Sequence, residues 1–589
     1  MKPTRLFDLL PYQKAKAPLQ DTFAFKLPDG TWKKYSTDEV IKIVDTLSLG
    51  LLEKGLKKDD KVAIISFNRP EWNFVDLGMQ QIGVVSVPLY PTITPEDYRY
   101  IFQQAGVKIV FVADKELYDK TKIAIGDDPI EVYSFDKISG VPHWTAISQL
   151  GNDKDSATLD PHRETVTPED LLTLIYTSGT TGKPKGVMLT HSNILSNAIA
   201  VAESFPLPGG YRALSFLPLC HIFERTAVYY YLYSATAVYY AESMETIGDN
   251  LKEVKPHLFT TVPRLLEKVY EKIVAKGREL TGIKKSLFFW ALGLGEQYEL
   301  PLNKGWWYEF RLRIANKIIF SKWREALGNN IEFIISGAAA LQPRLAKVFW
   351  AADIKVLEAY GLTETSPGVS FTRLEPENAR IGCAGPALPG VQIKIAEDGE
   401  ICVKGPNVMQ GYYKSPELTA EVIDKDGYFH TGDVGELVEN RFLRITDRKK
   451  EMFKTSGGKY IAPQPMENKF KESMVIEQIM IIGDGEKFPA ALIVPSFDAL
   501  KKWCELKEIP YSSDAEMIGN PSVQEKFDRE ISKYNESFAQ YERVKQFRLL
   551  PEPWSIEGGE LTPTLKLKRK AIMEKHGPLV NQIYAKGPA

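Results

Sequence analysis

Short runs of valine and isoleucine alternate with longer amphipathic stretches from about residue 61 to about residue 500 of the chain. The runs at residues 62–65, 109–112 and 333–335 are examples. Apolar runs of this length are typical of strands that are buried on both faces of a sheet, and the amphipathic stretches are typical of helices that cover it. The sequence therefore predicts an α/β fold in which sheets of parallel type are covered by helices.

Two changes in this pattern divide the chain. Between about residues 385 and 446 the runs are short and are separated by Gly, Pro, Asn and Asp, which indicates a small β-rich subdomain. A charged stretch follows at residues 447–451, and strands then alternate with helices again. Because 589 residues exceed the ~100 to 200 expected for one domain, we predict an N-terminal domain over 1–446 and a smaller α+β C-terminal domain over 447–589.

Composition excludes several classes of protein. A formal net charge of -2 gives no general basic field for holding nucleic acid, so we expect no nucleic-acid partner. The four cysteines form no C-x-x-C pair, and the first residues contain no continuous apolar core. We expect a cytoplasmic protein in which the two uncharged runs, residues 77–95 and 226–241, are buried interior.

Aromatic and basic residues are interleaved between about residues 271 and 330, where the periodicity is helical. The basic residues include Lys284, Lys285, Arg311 and Arg313, and the aromatic residues include Phe288, Phe289, Trp290, Trp306 and Trp307. Two interpretations remain open here. The segment is either an ordinary packing helix or a surface that contacts a membrane and admits lipid.

Residues 177–186, with the sequence TSGTTGKPKG, have the composition of a phosphate-binding loop. Glycines let backbone N–H groups approach an anion, hydroxyls donate further hydrogen bonds, and lysines supply positive charge. The spacing is not that of a Walker loop, because only two residues separate Gly179 from Gly182 and Lys183 is followed by proline. By composition alone, a segment of this kind is more often an ordinary flexible loop.

This string resembles the signature loop of the adenylate-forming superfamily, which includes acyl-CoA synthetases, luciferases and the adenylation domains of peptide synthetases. Six further segments resemble that superfamily in the same order, so the resemblance extends from about residue 174 to about residue 569. For the loop, it implies contacts with ATP from Thr177, Ser178, Gly179, Thr180, Thr181, Gly182 and Lys185.

Two of the further segments imply an acyl and adenine pocket. In residues 217–224, LPLCHIFE, the resemblance implies that His221 lies near the bound carboxylate. In residues 336–340, SGAAA, the resemblance implies that the small residues Gly337 and Ala338 leave room for adenine, and Ala339 for the first acyl carbons. This segment departs from a common form that has a second glycine and a proline.

Residues 360–365, YGLTET, closely resemble the most diagnostic string of the superfamily. The resemblance implies that Tyr360, followed by Gly361, stacks on adenine. Thr363 is expected to bond the α-phosphate, and Glu364 is expected to hold Mg²⁺ together with Thr177. Mg²⁺ prefers hard oxygen ligands and commonly uses one or two carboxylates beside nucleotide phosphates.

The remaining segments imply a ribose contact, a hinge and a second set of active-site residues. In residues 430–435, HTGDVG, Asp433 is expected to bind the ribose hydroxyls, with Arg448 as its partner. By resemblance Lys450 is the hinge of a mobile C-terminal domain. A strand in residues 455–463 would bring Gly457 and Gly458 to the coenzyme A site, and the tail at 561–569 would carry the catalytic Lys566, which we favour over Lys568.

The resemblance is strongest to long-chain fatty acid–CoA ligases. The insertion between residues 262 and 336, the string DRKK at 447–450 and the string TLK at 564–566 carry it. It implies that ATP and Mg²⁺ activate a long-chain fatty acid to an acyl-adenylate, with Lys566, Thr363 and Glu364 as catalytic residues, and that coenzyme A then receives the acyl group.

Three other functions remain open. A ligase could deliver the acyl group to a carrier protein, a relative without catalysis could bind ATP or lipid, and a luciferase-like oxidation is a further alternative. We expect peripheral contact with the inner face of a membrane, because a fatty acid partitions into lipid. The sequence leaves the oligomeric state open, a homodimer included.

Overall fold

The computed structural model describes residues 2–177, 183–302, 304–562 and 565–585. The strands, in chain order, are β1 (Phe23–Lys26), β2 (Trp32–Tyr35), β3 (Lys61–Ile65), β4 (Val85–Leu89), β5 (Val107–Val112), β6 (Glu131–Ser134), β7 (Leu171–Thr177), β8 (Lys185–Thr190), β9 (Arg212–Ser215), β10 (Ala237–Tyr240), β11 (Leu258–Thr261), β12 (Phe333–Ser336), β13 (Val356–Gly361), β14 (Gly368–Phe371), β15 (Gln392–Ile395), β16 (Glu400–Lys404), β17 (Gly411–Tyr412), β18 (Phe429–Val438), β19 (Phe442–Arg448), β20 (Phe453–Lys454), β21 (Tyr460–Ile461), β22 (Ile476–Ile482), β23 (Ala490–Pro495) and β24 (Gln546–Leu549).

The α-helices lie before, between and after these strands. In chain order they are α1 (Leu9–Lys16), α2 (Thr37–Glu53), α3 (Pro70–Gln81), α4 (Pro95–Ala105), α5 (Lys115–Ile125), α6 (Thr145–Gly151), α7 (Asp160–Thr165), α8 (His191–Ser204), α9 (Ile222–Tyr233), α10 (Ile247–Val254), α11 (Pro263–Glu279), α12 (Gly282–Glu296), α13 (Trp306–Ala315), α14 (Ser321–Ala326), α15 (Pro343–Ala351), α16 (Pro416–Val422), α17 (Pro463–Phe470), α18 (Phe497–Leu506), α19 (Asp514–Gly519), α20 (Pro521–Asn535) and α21 (Arg569–Ala585).

Two large sheets form the N-terminal part. One has eight strands in the order β14-β13-β12-β11-β9-β10-β1-β2, and the other has seven in the order β17-β8-β7-β4-β3-β5-β6. Their central strands are parallel, whereas β14, β2, β8 and β17 pair with their neighbours antiparallel. The prediction of an α/β fold with parallel-type sheets is therefore confirmed, and the antiparallel strands at the sheet edges are an addition to it.

The β-rich subdomain is a four-stranded antiparallel sheet in the order β15-β16-β18-β19. Its small apolar core contains Val403 and Leu443, with Tyr360 packed against it from the eight-stranded sheet. This contact brings the end of β13 close to β18. The predicted site residues on β13 of the eight-stranded sheet and on β18 of the four-stranded sheet therefore lie close together.

The C-terminal part contains a three-stranded sheet, β22-β23-β24, and a short hairpin of β20 and β21. Two apolar clusters pack its helices against that sheet, and their members lie between residues 453 and 584. The junction predicted at residue 447 lies just before these clusters. The division into domains at that residue stays a prediction.

The two long uncharged runs of the sequence are interior over most of their length, but residues 90–95 of the first run are partly or fully exposed. Residues 77–89 are buried, and so are residues 226–241 apart from Tyr233 and Ala241. The first run includes part of α3 and strand β4 of the seven-stranded sheet. The second run includes part of α9 and strand β10 of the eight-stranded sheet. Over the described ranges of the chain, with 178–182, 303 and 563–564 left out, no helix is long and apolar enough to cross a membrane.

Candidate active site

Tyr360, Asp433 and Arg448 form one polar cluster at the end of β13. The Tyr360 hydroxyl donates to Oδ2 of Asp433 at 2.8 Å, and Nε of Arg448 lies 3.0 Å from Oδ1. Asp433 and Arg448 are register partners on β18 and β19, so the sheet itself sets their separation. Desolvation, followed by the charge of Asp433, raises the pKa of Tyr360 well above its ordinary value. The cluster therefore offers a fixed carboxylate beside an aromatic face.

Glu364 lies in a short 3-10 helix, Thr363–Thr365, directly after β13. Its Oε1 accepts a hydrogen bond from the Tyr412 hydroxyl at 2.9 Å, and its carbonyl accepts from the N–H of Met409. Nζ of Lys185 lies 5.0 Å from the centre of the Tyr412 ring. Thr177 is the register partner of Lys185 across β7 and β8. These contacts bring a carboxylate, an ammonium group and a hydroxyl to the base of the predicted phosphate loop.

Small residues keep the backbone open between these groups. A side chain at Gly361 would clash with the carbonyl oxygen of Pro367, and a β-carbon at Gly337 would lie 3.0 Å from the Phe223 ring. Ala338 has a left-handed φ of 68°, and Ala339 beside it is exposed. Gly361 is therefore required for close backbone packing, and 337–339 form a low wall beside Tyr360.

His221 begins α9 as its N-cap residue, where its Nδ1 accepts a hydrogen bond from the N–H of Phe223 at 3.2 Å. Burial, together with the charge of Lys566, lowers the pKa of His221 to about 4. The imidazole is therefore neutral at pH 7, with its proton on Nε2. A neutral histidine of this kind can donate one hydrogen bond to an anion.

Lys566 reaches this site from the C-terminal part. Desolvation lowers its pKa to about 8; the charge of Arg448 lowers it too, while Asp433, Glu451 and Glu364 oppose the shift. Arg448 and Asp433 belong to the first cluster described above and Glu364 to the second, and the charge of Lys566 in turn lowers the pKa of His221. The Lys566 ammonium group therefore interacts electrostatically with His221 and with both clusters.

Local contacts fix the segment that presents Lys566. Its N–H donates to Oγ1 of Thr562 at 3.0 Å, and its carbonyl accepts from the N–H of Thr562 at 2.8 Å. Arg569, three residues later, is paired with Glu451 and Glu467. Lys568 is exposed. These observations favour Lys566 over Lys568 as the catalytic lysine, although its role stays a prediction.

The residues predicted for the hinge and for coenzyme A lie in two turns of the chain. Lys450 lies exposed in the turn that follows β19. Gly457 and Gly458 lie in the turn between β20 and β21, where Gly458 has φ +79°, and not inside a strand as the sequence suggests. Their neighbours are Thr455 and Lys454 of the same segment.

Five of the predicted loop residues lie outside the described residues. They are Ser178, Gly179, Thr180, Thr181 and Gly182. Sequence reasoning missed Tyr412, which bonds Glu364, and Phe223, which packs against Gly337. Phe223 stands two residues after His221 in a recognised motif, whereas nothing in the string around Tyr412 singles it out.

Few protein groups at this site could bind a divalent cation. Over the part of the chain that the structure describes, no group of three or more His, Cys, Asp or Glu residues could hold a metal ion. Glu364 bonds Tyr412 through one oxygen only. A carboxylate with one oxygen not bonded to Tyr412, beside the strand β8 that pairs with Thr177 of β7, fits Mg²⁺ held largely by nucleotide phosphates.

Comparison with protein families gives two matches. The family described as AMP-binding enzyme matches residues 12–413, and the family described as AMP-binding enzyme C-terminal domain matches residues 451–587. The first match covers more than half of the chain.

Curated relatives match along nearly the whole chain. The long-chain-fatty-acid–CoA ligase FadD15 of Mycobacterium bovis is 32% identical over 569 residues, covering 95% of this chain and 94% of the relative. Long-chain-fatty-acid–CoA ligase 1 of Homo sapiens is 32% identical over 597 residues, covering 95% and 83%.

Solved structures share the fold at lower identity. The anthranilate CoA ligase AuaEII in complex with anthranoyl-AMP has a TM-score of 0.72 and 16% identity, with 98% of both chains covered. The A-PCP didomain of the carboxylic acid reductase from Segniliparus rugosus, in complex with AMP, has a TM-score of 0.74 and 20% identity, covering 100% and 83%.

Proposed function

The chain belongs to the family of AMP-binding, adenylate-forming enzymes, and we propose that it is a long-chain fatty acid–CoA ligase. In this reaction a carboxylate oxygen of the fatty acid attacks the α-phosphorus of ATP, and pyrophosphate leaves. The sulfur of coenzyme A, which must lose its proton, then attacks the acyl carbonyl, and AMP leaves. The predictions of the family, of the class of enzyme and of the reaction, made from the sequence, all agree with this assignment.

The observation that carries the proposal is the position of Lys566. In the first half-reaction two anions must meet, so the site has to neutralise charge and align the reacting atoms. The Lys566 ammonium lies within electrostatic reach of His221, Asp433 and Glu364, and its pKa of about 8 leaves it mostly charged at pH 7. It can therefore lower the barrier between a carboxylate bound at His221 and a nucleotide bound at Asp433.

The other residues have matching tasks. The neutral imidazole of His221 would donate from Nε2 to the fatty acid carboxylate, and Asp433 would accept from the ribose hydroxyls. The Tyr360 ring and the low wall of Gly337, Ala338 and Ala339 would hold adenine and the first acyl carbons between them. Thr363 and Lys185 would bind phosphate oxygens.

Glu364 and Thr177 are the residues that would hold Mg²⁺, which supplies charge neutralisation at the phosphates when it is bound. Tyr412 would orient the Glu364 carboxylate, because its hydroxyl occupies one of the two oxygens. The other oxygen would then be available to hold the cation. We include Mg²⁺ and coenzyme A in the proposal as the cofactor and the second substrate.

In the second half-reaction the same pocket has to admit a thiol. We propose that the C-terminal part turns about Lys450, withdraws Lys566 and brings the turn at Gly457 and Gly458 towards the acyl-adenylate. The glycines would let the pantetheine arm pass close to the backbone. Lys566 and Gly458 would therefore act at different times.

We propose fatty acids of ~12 to 18 carbons as substrates, since each buried CH₂ favours binding by roughly 0.8 kcal/mol. Such a substrate partitions into lipid, so the proposal includes peripheral contact with a membrane. The names of the curated relatives support the chain length.

Product analysis tests the proposal. Purified protein is incubated with Mg-ATP and palmitate, with and without coenzyme A, and AMP and palmitoyl-CoA are measured by mass spectrometry. Equal amounts of AMP and palmitoyl-CoA, formed only with coenzyme A, are expected. Adenylate without thioester would favour a carrier-protein acceptor, and no turnover over a series of chain lengths would contradict ligase activity.

A further inference from the structure

The outer face of α12 and α13 carries large apolar side chains that are open to solvent. We call this surface the α12–α13 face and extend it to the helical turn that follows α13. Trp306 is 74% exposed, Trp307 56% and Ile283 79%. Phe310, Ile314 and Ile318 are exposed by 39–46%. Isolated exposed apolar residues are common on soluble proteins, whereas a contiguous group of this size marks an interaction surface.

These residues are not needed to pack the helix against the protein. Residues 307, 310, 314 and 318 follow one another at helical spacing and form a single stripe. The opposite side of α13 is already buried through Tyr308, Leu312 and Ala315. The helix is therefore apolar on two faces, and only one of them meets the core.

The charges around the stripe are mainly positive. Residues 282–325 contain eight Lys or Arg and four Asp or Glu, in a chain whose formal net charge is -2. Two of the lysines are paired with acids, Lys304 with Glu299 and Lys322 with Glu325. Within the described residues, no ion pair involves Lys284, Arg311, Arg313 or Lys317.

We propose that the α12–α13 face docks on the surface of a lipid bilayer that contains anionic lipids. Trp and Phe beside Lys and Arg are the composition of a helix that lies in the membrane interface, with its apolar stripe among the acyl chains. Unpaired cations at the rim would add attraction to anionic headgroups. A second copy of this chain would bring like charges together, which is unfavourable.

The α12–α13 face is connected to the predicted acyl pocket through α15, which suggests why docking would help the reaction. This step rests on the proposed function. The inner side of α12 packs on α15 so closely that Gly295 approaches Val348. Helix α15 begins at Pro343, a few residues after the small-residue wall at 337–339. A docked face would hold the acyl pocket near the lipid that contains its substrate.

Vesicle sedimentation with the full chain tests the docking. Binding is measured to vesicles of phosphatidylcholine alone and of phosphatidylcholine with phosphatidylglycerol, at low and high salt. Trp307→Glu combined with Phe310→Glu should weaken binding at least tenfold, and Arg313→Ser with Lys317→Ser should abolish most of the preference for anionic vesicles. Leu506→Glu, at an 83% exposed position on α18, is the matched control and should bind like the unchanged protein.

Failure of the unchanged protein to bind anionic vesicles would overturn the proposal, and so would equal binding by the Trp307→Glu, Phe310→Glu variant. A concentration-dependent dimer that this variant abolishes, without vesicle binding, would make the face an interface between copies instead. Ligase activity is measured separately with albumin-bound palmitate and no lipid. Vesicle binding by a protein without that activity would contradict the proposed function and leave the docking intact.

Discussion

The hydroxyl of Tyr360 donates to the carboxylate of Asp433 at 2.8 Å, across 73 residues of sequence. The other oxygen of the same carboxylate is held by Arg448. An aromatic face and an oriented acceptor therefore stand side by side at the junction of two sheets. In the proposed function, this pair binds the nucleoside.

Replacement of Asp433 should weaken nucleotide binding strongly. Asp433→Ala removes a charged hydrogen-bond acceptor, worth about 1.5–3 kcal/mol, so KM for ATP should rise about 10- to 100-fold. Tyr360→Phe keeps the ring and loses one hydrogen bond, so the rise should be about fivefold. Steady-state kinetics and titration with AMP measure both. An unchanged KM in Asp433→Ala would contradict the ribose assignment.

The rate of adenylation should fall as the pH rises through about 8. In the proposed mechanism the active form of Lys566 is the ammonium ion, and burial lowers its pKa from 10.5 to about 8. The charge is therefore present below that pH and lost above it. Single-turnover formation of palmitoyl-AMP, measured from pH 6 to 10, gives the profile.

Lys566→Arg is the control for this profile. Its guanidinium stays charged over the whole range, so its lower rate should show no decline above pH 8. An equal decline in the arginine variant would assign the titration to another group.

Glu224→Gln should stabilise the protein at alkaline pH. Glu224 is fully buried, accepts a hydrogen bond from Thr260, and has an unpartnered Oε1. Burial raises its pKa from 4.5 to about 7. The folded state thus retains a proton that the unfolded state loses first, so the stability gained from protonation is present below about pH 4.5 and is lost up to about pH 7.

Thermal unfolding of both proteins at pH 5 and pH 8.5 measures this effect. Because each tenfold change in proton affinity is worth about 1.4 kcal/mol, the gain from Glu224→Gln at pH 8.5 should approach about 3 kcal/mol. The gain should be small at pH 5. An equal effect at both pH values would show that Glu224 does not titrate in this range.

An ion pair between the two parts should favour the state in which Lys566 faces the site. Nη2 of Arg264 on α11 lies 2.7 Å from Oε1 of Glu477 on β22. The pair is partly exposed, so its contribution should be about 0.2–1 kcal/mol. Glu477→Gln should slow adenylation by up to about fivefold and leave acyl transfer from supplied palmitoyl-AMP unaffected.

Asp514→Asn provides a matched control, because it removes a pair with Lys501 that lies within the C-terminal part. It should change neither half-reaction. If Glu477→Gln slowed both half-reactions equally, the pair would have a general role in stability and none in selecting the state.

Local pattern was sufficient to predict the elements and the fold class. The apolar runs at 62–65, 109–112 and 333–335 lie in β3, β5 and β12. Their length and β-branched residues mark buried strands whatever their partners are. The order of the strands was not readable, because pairings such as β1 with β10 join segments about 200 residues apart.

The site residues likewise fall into those that the sequence predicted and those that only the structure shows. Asp433 and Arg448 were predicted from sequence motifs. The contact of Tyr412 with Glu364 joins residues 48 positions apart, and no periodic pattern in the sequence indicates it. Gly457 and Gly458 were expected in a strand, yet the positive φ of Gly458 favours a turn. Residues whose role depends on tertiary contacts need the three-dimensional arrangement.

The most direct measurement is the exchange of labelled pyrophosphate into ATP, without coenzyme A, in the unchanged protein and in Lys566→Ala. The proposed mechanism requires that exchange depends on palmitate, is reduced at least about 100-fold by Lys566→Ala, and is accompanied by normal transfer to coenzyme A from supplied palmitoyl-AMP. Exchange that is independent of palmitate, or that survives in Lys566→Ala, would contradict activation of the acid through an adenylate at this site.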